Sequence, residues 1–283
     1  MNEPENQPEQ DLDAPLDVDM PPNLNALVEP IAAMVRQASR RSLAWFRQSP
    51  AVDNKRAADD QAGFDPVTEA DRAVEDILRA ELTARFPTHE ILGEERGTSG
   101  SHPYRWVIDP IDGTRSFISG NPLWGTLLGL QHHGTPVAGW MHLPVLDETY
   151  VGWSGGGWME TPTGRQPLRA SQVTVADQAI LGSTHPTMYP PGPDRDRFDR
   201  LAAGVRMTRY GGDCVNYGLL AIGTLDLVAE AMLEPYDIVP LIPIIEAAGA
   251  VITDLAGNPP TDGGEIVCAA TPALHRVALD LIR

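Results

Sequence analysis

Acidic residues occur in four short segments of the chain where their spacing could support chemistry. Asp109 and Asp112 follow an apolar run and have two residues between them. Glu94 follows a second apolar run, and Asp71 and Asp237 each adjoin a segment with helical spacing of apolar residues. Carboxylates at strand ends and helix starts can converge on one point, where they serve as metal ligands or as acids and bases.

The segment from Asp109 to Asp112 is the most informative of the four. Pro110 fixes one φ angle and removes one backbone donor, so the chain must turn as it leaves the strand. Both carboxylates can then point to one spot, where they would repel each other unless a cation lay between them. Carboxylate and carbonyl oxygens with water are the ligands that Mg²⁺ prefers.

Gly113 and Thr114 follow directly and begin a predicted helical turn. The free N–H groups of such a turn attract anions such as phosphate. A hard-cation site beside a phosphate site is typical of phosphoryl hydrolysis by a metal-activated water. Most of these acidic residues also have a purely structural interpretation: Asp71, Asp112 and Asp237 could cap helices, and Glu94-Glu95 could lie in a solvated turn. The joint occurrence of all four segments favours a site.

The elements that would position these residues alternate between helix and strand. Apolar spacing predicts helices over 24–46 and 68–86, a strand over 104–108 and a hairpin of 127–130 with 137–141. Beyond residue 165, strands are predicted at 180–183, 225–229, 250–253 and 266–269, and helices at 194–203, 215–222, 239–248 and 272–282. This order favours a layered α/β or α+β fold over a helical bundle or a β-sandwich.

Composition sets limits on the class of protein. The net charge of −18 argues against nonspecific nucleic-acid binding, and two cysteines cannot build a disulfide framework. No apolar stretch predicts a membrane span, so a cytoplasmic protein is expected. Residues 1–20 carry seven acids and no base, which predicts a disordered acidic tail. We expect an N-terminal half over 21–165 and a C-terminal half over 166–283.

The acidic segments together resemble one family, the inositol monophosphatase-like, Mg²⁺-dependent phosphatases of sugar and alcohol phosphates. The resemblance extends from about residue 24 to the end of the chain. It rests on Asp65-Pro-Val-Thr-Glu-Ala-Asp71, Gly93-Glu-Glu95, Trp106-Val-Ile-Asp-Pro-Ile-Asp-Gly-Thr114 and Tyr236-Asp237. Arg209-Tyr-Gly-Gly-Asp-Cys214 and Glu234-Pro-Tyr-Asp-Ile238 are most similar to the histidinol-phosphate phosphatase branch.

The resemblance implies an αβαβα five-layer fold, a homodimer, and two or three Mg²⁺ ions per active site, which Mn²⁺ could replace. By position, Glu94, Asp109 and the carbonyl of Ile111 would hold the first ion. Asp109, Asp112 and Asp237 would hold the second, and Asp71 with Glu94 would lie near a weaker third.

The same resemblance implies how a substrate would be handled. Glu94 and Thr114 would orient the attacking water, with Asp71 as a further catalytic residue. The N–H groups of Gly113 and Thr114 would bind the phosphate. The substrate pocket would include Asp213, Asn216 and Glu230.

The substrate is expected to be a small phosphorylated metabolite. The first expectation is L-histidinol phosphate, hydrolysed to L-histidinol and phosphate in histidine biosynthesis. The alternatives are inositol 1-phosphate or another small sugar or nucleotide phosphate. A non-catalytic metal-binding regulator, or an acidic protein that binds partners through its tail, is the competing class.

Overall fold

A computed structural model describes residues 23–48, 52–54 and 66–283. The predicted disordered tail, residues 1–20, lies outside the described residues. The helices within them are α1 Leu24–Arg41, α2 Glu69–Arg85, α3 Thr114–Ser119, α4 Pro193–Gly204, α5 Cys214–Ala221, α6 Pro235–Ile238, α7 Leu241–Ala247 and α8 Pro272–Ile282. Among these described helices, none combines the length and apolar character needed to cross a bilayer.

Strands make up most of the remaining regular structure. Those of the first half are β1 Val52–Asn54, β2 Pro66–Thr68, β3 Glu90–Gly93, β4 Gly97–Ser99, β5 Tyr104–Asp112, β6 Gly125–His132, β7 Thr135–Leu143, β8 Glu148–Trp153, β9 Gly156–Thr161 and β10 Gly164–Pro167. Those of the second half are β11 Ile180–Ser183, β12 Met207–Tyr210, β13 Leu227–Leu233, β14 Val251–Asp254 and β15 Gly264–Ala269.

Two large sheets organise the described part of the chain, and β1 pairs with β2 in a separate two-stranded sheet. The larger has eight strands in the order β10-β9-β8-β7-β6-β5-β3-β4, and the smaller has five in the order β12-β11-β13-β15-β14. The larger sheet is antiparallel except where β3 runs parallel to β5. In the smaller sheet β11 runs parallel to both β12 and β13, whereas β15 is antiparallel to β13 and β14.

Three large apolar cores fill the space between the layers of the described structure, and a smaller fourth cluster includes Phe117 and Trp124. The first lies between α1 with α2 and one face of the larger sheet, and the second lies between the sheets and contains α5, α6 and α7. The third lies between the smaller sheet and α4 with α8. The layering is therefore helix, sheet, helix, sheet, helix, which confirms the predicted αβαβα fold.

The differences from the predicted elements have physical causes. β10 is exposed at all four residues, and β12 is mostly exposed. Neither shows the apolar alternation from which strands are predicted; each forms because a neighbouring strand offers its backbone. The division near residue 165 stays a prediction, because the second core is shared by both sheets.

Candidate active site

The end of β5 brings Asp109 next to Glu94. Because β3 and β5 are parallel, Gly93 is paired with Ile108, and the N–H of Glu94 donates to the Ile108 carbonyl at 3.2 Å. Glu94, which follows β3, therefore lies beside Asp109, which follows Ile108 in β5. The register between β3 and β5 thus joins two acidic segments 15 positions apart in the sequence.

The third segment arrives from the other half of the chain. Asp109, Asp112 and Asp237 each offer a carboxylate oxygen, and these atoms all lie within 4.8 Å of one another. Asp237 is held on α6 by the N–H of Glu234, which donates to its Oδ2 at 2.7 Å. We call Glu94, Asp109, Asp112 and Asp237 the acidic cluster.

The electrostatics of the acidic cluster are unfavourable in the absence of a cation. Burial raises the pKa of Asp109 well above its ordinary value, and the nearby Glu94, Asp112 and Asp237 raise it further. Burial likewise raises the pKa of Asp237 to about 8, with Glu94 adding to the shift. Asp109 is 1% exposed, and its Oδ1 has no hydrogen-bond partner within the described residues. This all-oxygen donor set fits a divalent cation such as Mg²⁺.

The two halves also meet through the backbone. The N–H of Cys214, the first residue of α5, donates to Asp112 Oδ2 at 2.5 Å. Gly113 has a φ of 84°, and a Cβ there would lie about 3.0 Å from Asp213 Oδ2. Glycine therefore serves both the turn after β5 and the close approach of Asp213.

A cavity of about 540 Å³ opens beside this junction. Its lining includes predicted metal, phosphate and substrate residues from both halves of the chain. These are Asp112, Gly113, Thr114, Arg115, Ser116, Thr184, His185, Thr187, Met188, Gly211, Asp213, Glu230, Met232, Leu233 and Asp237.

Glu230 is the centre of a hydrogen-bonded network in this cavity. Its Oε1 accepts from the N–H of Thr184 at 3.0 Å and from Thr184 Oγ1 at 2.6 Å. Its Oε2 accepts from the hydroxyl of Tyr217 at 2.8 Å. Burial raises the pKa of Glu230 to about 7, although the hydrogen bonds from Thr184 and Tyr217 act in the opposite direction. We call Thr184, Tyr217 and Glu230 the Glu230 network.

Asp213 is joined to the same network. Its N–H donates to Thr184 Oγ1 at 3.1 Å, and its Oδ2 accepts from Ser116 Oγ at 2.9 Å. Burial raises its pKa, whereas the Ser116 hydrogen bond and the charge of Arg115 lower it. With a φ of 46°, Asp213 has a backbone that only a few residue types tolerate. Asp213 is thus held by Thr184 through its backbone and by Ser116 through its carboxylate.

Thr114 and Asp71, two further predicted residues, make different contacts. Thr114 lines it, and its hydroxyl donates to the carbonyl of Ile111 at 3.0 Å. Asp71 is fully buried, and its Oδ2 accepts from the N–H of Thr68 at 2.8 Å, as in a capping box. The contact with Thr68 therefore agrees with the structural interpretation of Asp71 as a helix-capping residue.

Asn216, a predicted substrate residue, is not among the residues that line this cavity. It is 3% exposed, and its side chain lies against Gly182 and Gly212, outside the described lining of the cavity. The reason is that α5 turns this position towards the smaller sheet. Asp213, at the start of the same segment, is the residue that reaches the cavity.

Glu75 is a residue that the sequence did not single out. Its Oε2 accepts from the N–H of Glu95 at 2.7 Å, and its Oε1 accepts from the N–H of Arg96 at 3.1 Å and from Arg79 Nε at 2.6 Å. A Cβ at Gly93 would lie 2.1 Å from Glu75 Oε1. Glu75 thus holds the turn that carries Glu94.

A signal for Glu75 was present in the sequence. On α2 it falls on the buried face together with Val74, Leu78 and Leu82. A carboxylate on an apolar face needs partners, and the glycine after β3 leaves room for it. This pairing of Glu75 with Gly93 becomes visible only when β3 is placed beside α2.

The chain is similar to known phosphatases along most of its length. The model of the inositol monophosphatase family matches residues 27–283. A histidinol-phosphatase from Chlorobaculum parvum is 32% identical over 262 residues, which cover 91% of this chain and 95% of that protein. A chloroplast bifunctional phosphatase from Arabidopsis thaliana is 38% identical over 202 residues, which cover 70% of this chain and 57% of that protein.

A solved structure agrees with these sequence matches. An inositol monophosphatase from Zymomonas mobilis aligns with a TM-score of 0.77 and 33% identity, over 91% of this chain and 96% of that one. The five layers described above are thus shared with a known phosphatase structure.

Proposed function

The chain belongs to the inositol monophosphatase family of phosphatases, and we propose that it hydrolyses L-histidinol phosphate to L-histidinol and phosphate with the help of Mg²⁺. The observation that carries this proposal is a single cavity in which Asp112 and Asp237, two carboxylates that could hold a metal ion, lie with two further carboxylates, Asp213 and Glu230. The first group suits a phosphate ester with bound cations. The second suits an organic group that carries positive charge.

The acidic cluster supplies the residues that would hold Mg²⁺. Glu94, Asp109 and the Ile111 carbonyl would form one site, and Asp109, Asp112 and Asp237 the other, with Asp71 near a weaker third. Mn²⁺ offers the same preference for oxygen ligands. When bound, the cation would offset the charge of the phosphate and lower the pKa of the attacking water.

The residues around the phosphate would then act by position and charge. Glu94 and the Thr114 hydroxyl orient the water, and Glu94 accepts its proton. The N–H groups of Gly113 and Thr114 donate to phosphate oxygens as negative charge builds up. Catalysis of this kind depends on fixed geometry, which the hydrogen bonds to Asp112 and Asp237 provide.

The choice of substrate rests on charge in the rest of the cavity. Histidinol phosphate carries an amine and an imidazole, both of which can be cationic. Asp213 and Glu230 lie within the cavity lining and are already held by Ser116, Thr184 and Tyr217. Carboxylates that are fixed in advance bind a cationic group with little further loss of conformational entropy.

The test is a comparison of kcat/KM for four substrates under the same Mg²⁺ concentration. These are L-histidinol phosphate, inositol 1-phosphate, fructose 1,6-bisphosphate and adenosine 3′,5′-bisphosphate. We expect the highest value for histidinol phosphate. Comparable slow rates on all four, or a clear preference for another substrate, would contradict the proposal.

Inositol 1-phosphate is the second candidate. It is favoured by the similarity to an inositol monophosphatase structure and by Glu230, whose Oε2 has one protein donor and can accept a hydroxyl as well. The two candidates differ in charge, so raising the ionic strength should weaken binding of histidinol phosphate more. The expected homodimer stays a prediction.

A further inference from the structure

Met232 has a backbone conformation that a β-branched or long side chain seldom adopts. Its φ is 61°, in the left-handed region where Cβ crowds the carbonyl oxygen. Glu230 is paired with Ile266 and Leu233 with Gly264, so three steps along β13 oppose two along β15. The extra residue makes a β-bulge, where glycine is the residue that fits a positive φ without strain.

Packing does not offset this strain. The side chain of Met232 is 58% exposed, whereas its neighbours Glu230 and Ala231 are each 2% exposed. An exposed thioether contributes little to folding, and glycine would remove the crowding altogether. Backbone strain that persists without a packing reason is typical of functional sites.

The position of Met232 indicates what that function is. Met232 lines the same cavity as Thr114, Asp213 and Glu230, and Met188 lies in that lining as well. Methionine makes favourable contacts with aromatic rings through its polarisable sulfur. A polyol gains little from such a surface, because its hydroxyl groups need hydrogen-bond partners.

We propose that Met232, together with Met188, contacts the organic half of the substrate and selects phosphate esters that carry a flat ring over esters of polyols. The inference rests on the proposed function, since it takes the phosphate to lie at Gly113 and Thr114. Met232 adds a basis for specificity that the carboxylates Asp213 and Glu230 do not provide. A carboxylate attracts a cationic ring and a cationic amine alike, so charge alone does not select for a ring.

A purely structural role for Met232 predicts something different. The turn after β13 is tightly packed, because a Cβ at Gly263 would lie 2.2 Å from the carbonyl oxygen of Leu233. If this packing alone set the conformation of Met232, glycine at the position would be as good in every respect. The structural and functional roles therefore give opposite expectations for Met232→Gly.

The experiment measures KM and kcat for wild-type protein and Met232→Gly with two probes, L-histidinol phosphate and glycerol 2-phosphate. We expect the KM for histidinol phosphate to rise by about fivefold, as loss of a sulfur–ring contact implies. The KM for glycerol 2-phosphate and the kcat for both should stay within about twofold. The Tm of the variant should stay level or rise, since strain is relieved.

Two further variants serve as controls for position and for side-chain bulk. His133→Gly changes another residue at positive φ, 49°, in the β6–β7 turn outside the described cavity lining, and it should leave the KM ratio of the two probes unchanged. Met232→Leu keeps the apolar bulk, so its KM for histidinol phosphate should lie between wild type and Met232→Gly.

An unchanged KM ratio in Met232→Gly would overturn the inference. Wild-type protein that prefers inositol 1-phosphate would instead contradict the proposed substrate. In that case the pair of 4-nitrophenyl phosphate and glycerol 2-phosphate still tests the contact, because one ester carries a ring and the other does not. An equal effect of Met232→Gly on both esters of this pair overturns the inference as well.

Discussion

The acidic cluster and the Glu230 network are built from the same chemical groups but are satisfied in different ways. Glu230 is 2% exposed and accepts three hydrogen bonds from Thr184 and Tyr217. Asp109 is 1% exposed, is surrounded by further carboxylates, and has an Oδ1 with no partner within the described residues. Both carboxylates are buried, but only that of Glu230 accepts hydrogen bonds at both of its oxygens from the described residues.

This difference indicates which carboxylates are the better candidates for binding a ligand. A buried charge is costly unless it is paired or hydrogen-bonded. The Glu230 network meets this cost with hydrogen bonds from within the protein, so it can act as a rigid wall of the cavity. The acidic cluster meets it by holding protons, as the raised pKa values of Asp109 and Asp237 indicate, and a bound cation would take their place, so metal binding and stability would be coupled there.

The largest expected effect comes from Asp109→Asn. This change removes a charge shared by both proposed metal sites while keeping the size of the side chain. We expect kcat/KM to fall by about 10³-fold at saturating Mg²⁺. The Tm of the metal-free protein should be level or higher, because one buried, mutually repelling carboxylate is gone.

Asp280→Asn is the matched control, since Asp280 is an exposed carboxylate on α8. It should leave activity unchanged. Near-normal turnover of Asp109→Asn with saturating Mg²⁺ would mean that the metal assignment is wrong.

The second effect is on stability as a function of pH. The pKa of Asp237 is raised to about 8 from an ordinary 3.8. Its contribution to the free energy of unfolding is therefore fully present below about pH 4 and is lost as the pH rises toward 8. In EDTA, the Tm should fall as the pH rises from about 5 to 8.

Mg²⁺ should reverse that loss, because it binds the ionised carboxylates. At about a hundred times the dissociation constant it should raise the Tm by roughly 5–10 °C at pH 8, and by much less at pH 5. NaCl at matched ionic strength is the control. A Mg²⁺ effect of equal size at both pH values would argue against carboxylate ligands.

The third effect tests whether the acidic cluster depends on its supporting contacts. Glu75→Gln keeps the shape but turns an amide N–H₂ towards the N–H groups of Glu95 or Arg96. We expect an activity loss of about 10- to 100-fold and weaker activation by Mg²⁺, as is typical when a residue that orients a ligand is changed.

Hydrogen exchange supplies an independent measurement for Glu75→Gln. The amides of Glu95 and Arg96 should exchange faster than in wild type. Glu81→Gln is the control on the same helix, because Glu81 is exposed and pairs only at 3.4 Å with Arg85. Unchanged exchange together with activity within twofold of wild type would show that Glu75 does not support the turn that carries Glu94.

The smallest effect is expected at the Glu230 network. Tyr217→Phe removes one of three donors, so the KM for histidinol phosphate should rise by about tenfold with little change in kcat. Loss of the Tyr217 donor should raise the pKa of Glu230 above about 7. Because protonation of Glu230 would weaken its attraction for the cationic substrate, KM should begin to increase at a higher pH in Tyr217→Phe than in wild type.

Tyr150→Phe is the control for Tyr217→Phe. Its hydroxyl donates to Glu148 at 2.8 Å, outside the described cavity lining. It should leave the pH dependence of KM unchanged. If both variants behave alike, Glu230 does not contact the substrate.

Much of the fold could be read from apolar spacing. The strand at Ile180–Ser183 and the helix at Pro272–Ile282 agree with the predicted bounds, because each has a strong apolar pattern and clear ends. β10 was missed because it is exposed throughout, and its pairing with β9 depends on a neighbour rather than on its own residues.

The sequence by itself determined that Asp109 and Asp112 would share one turn, since two intervening residues and a proline leave little freedom. Only the tertiary structure decided that Asp237 joins them and that Asn216 turns away. It also decided that Glu75 supports the turn of Glu94 and that Met232 stands strained in the cavity. Each of these depends on how separate layers pack, and packing depends on the shapes of distant segments that no local pattern records.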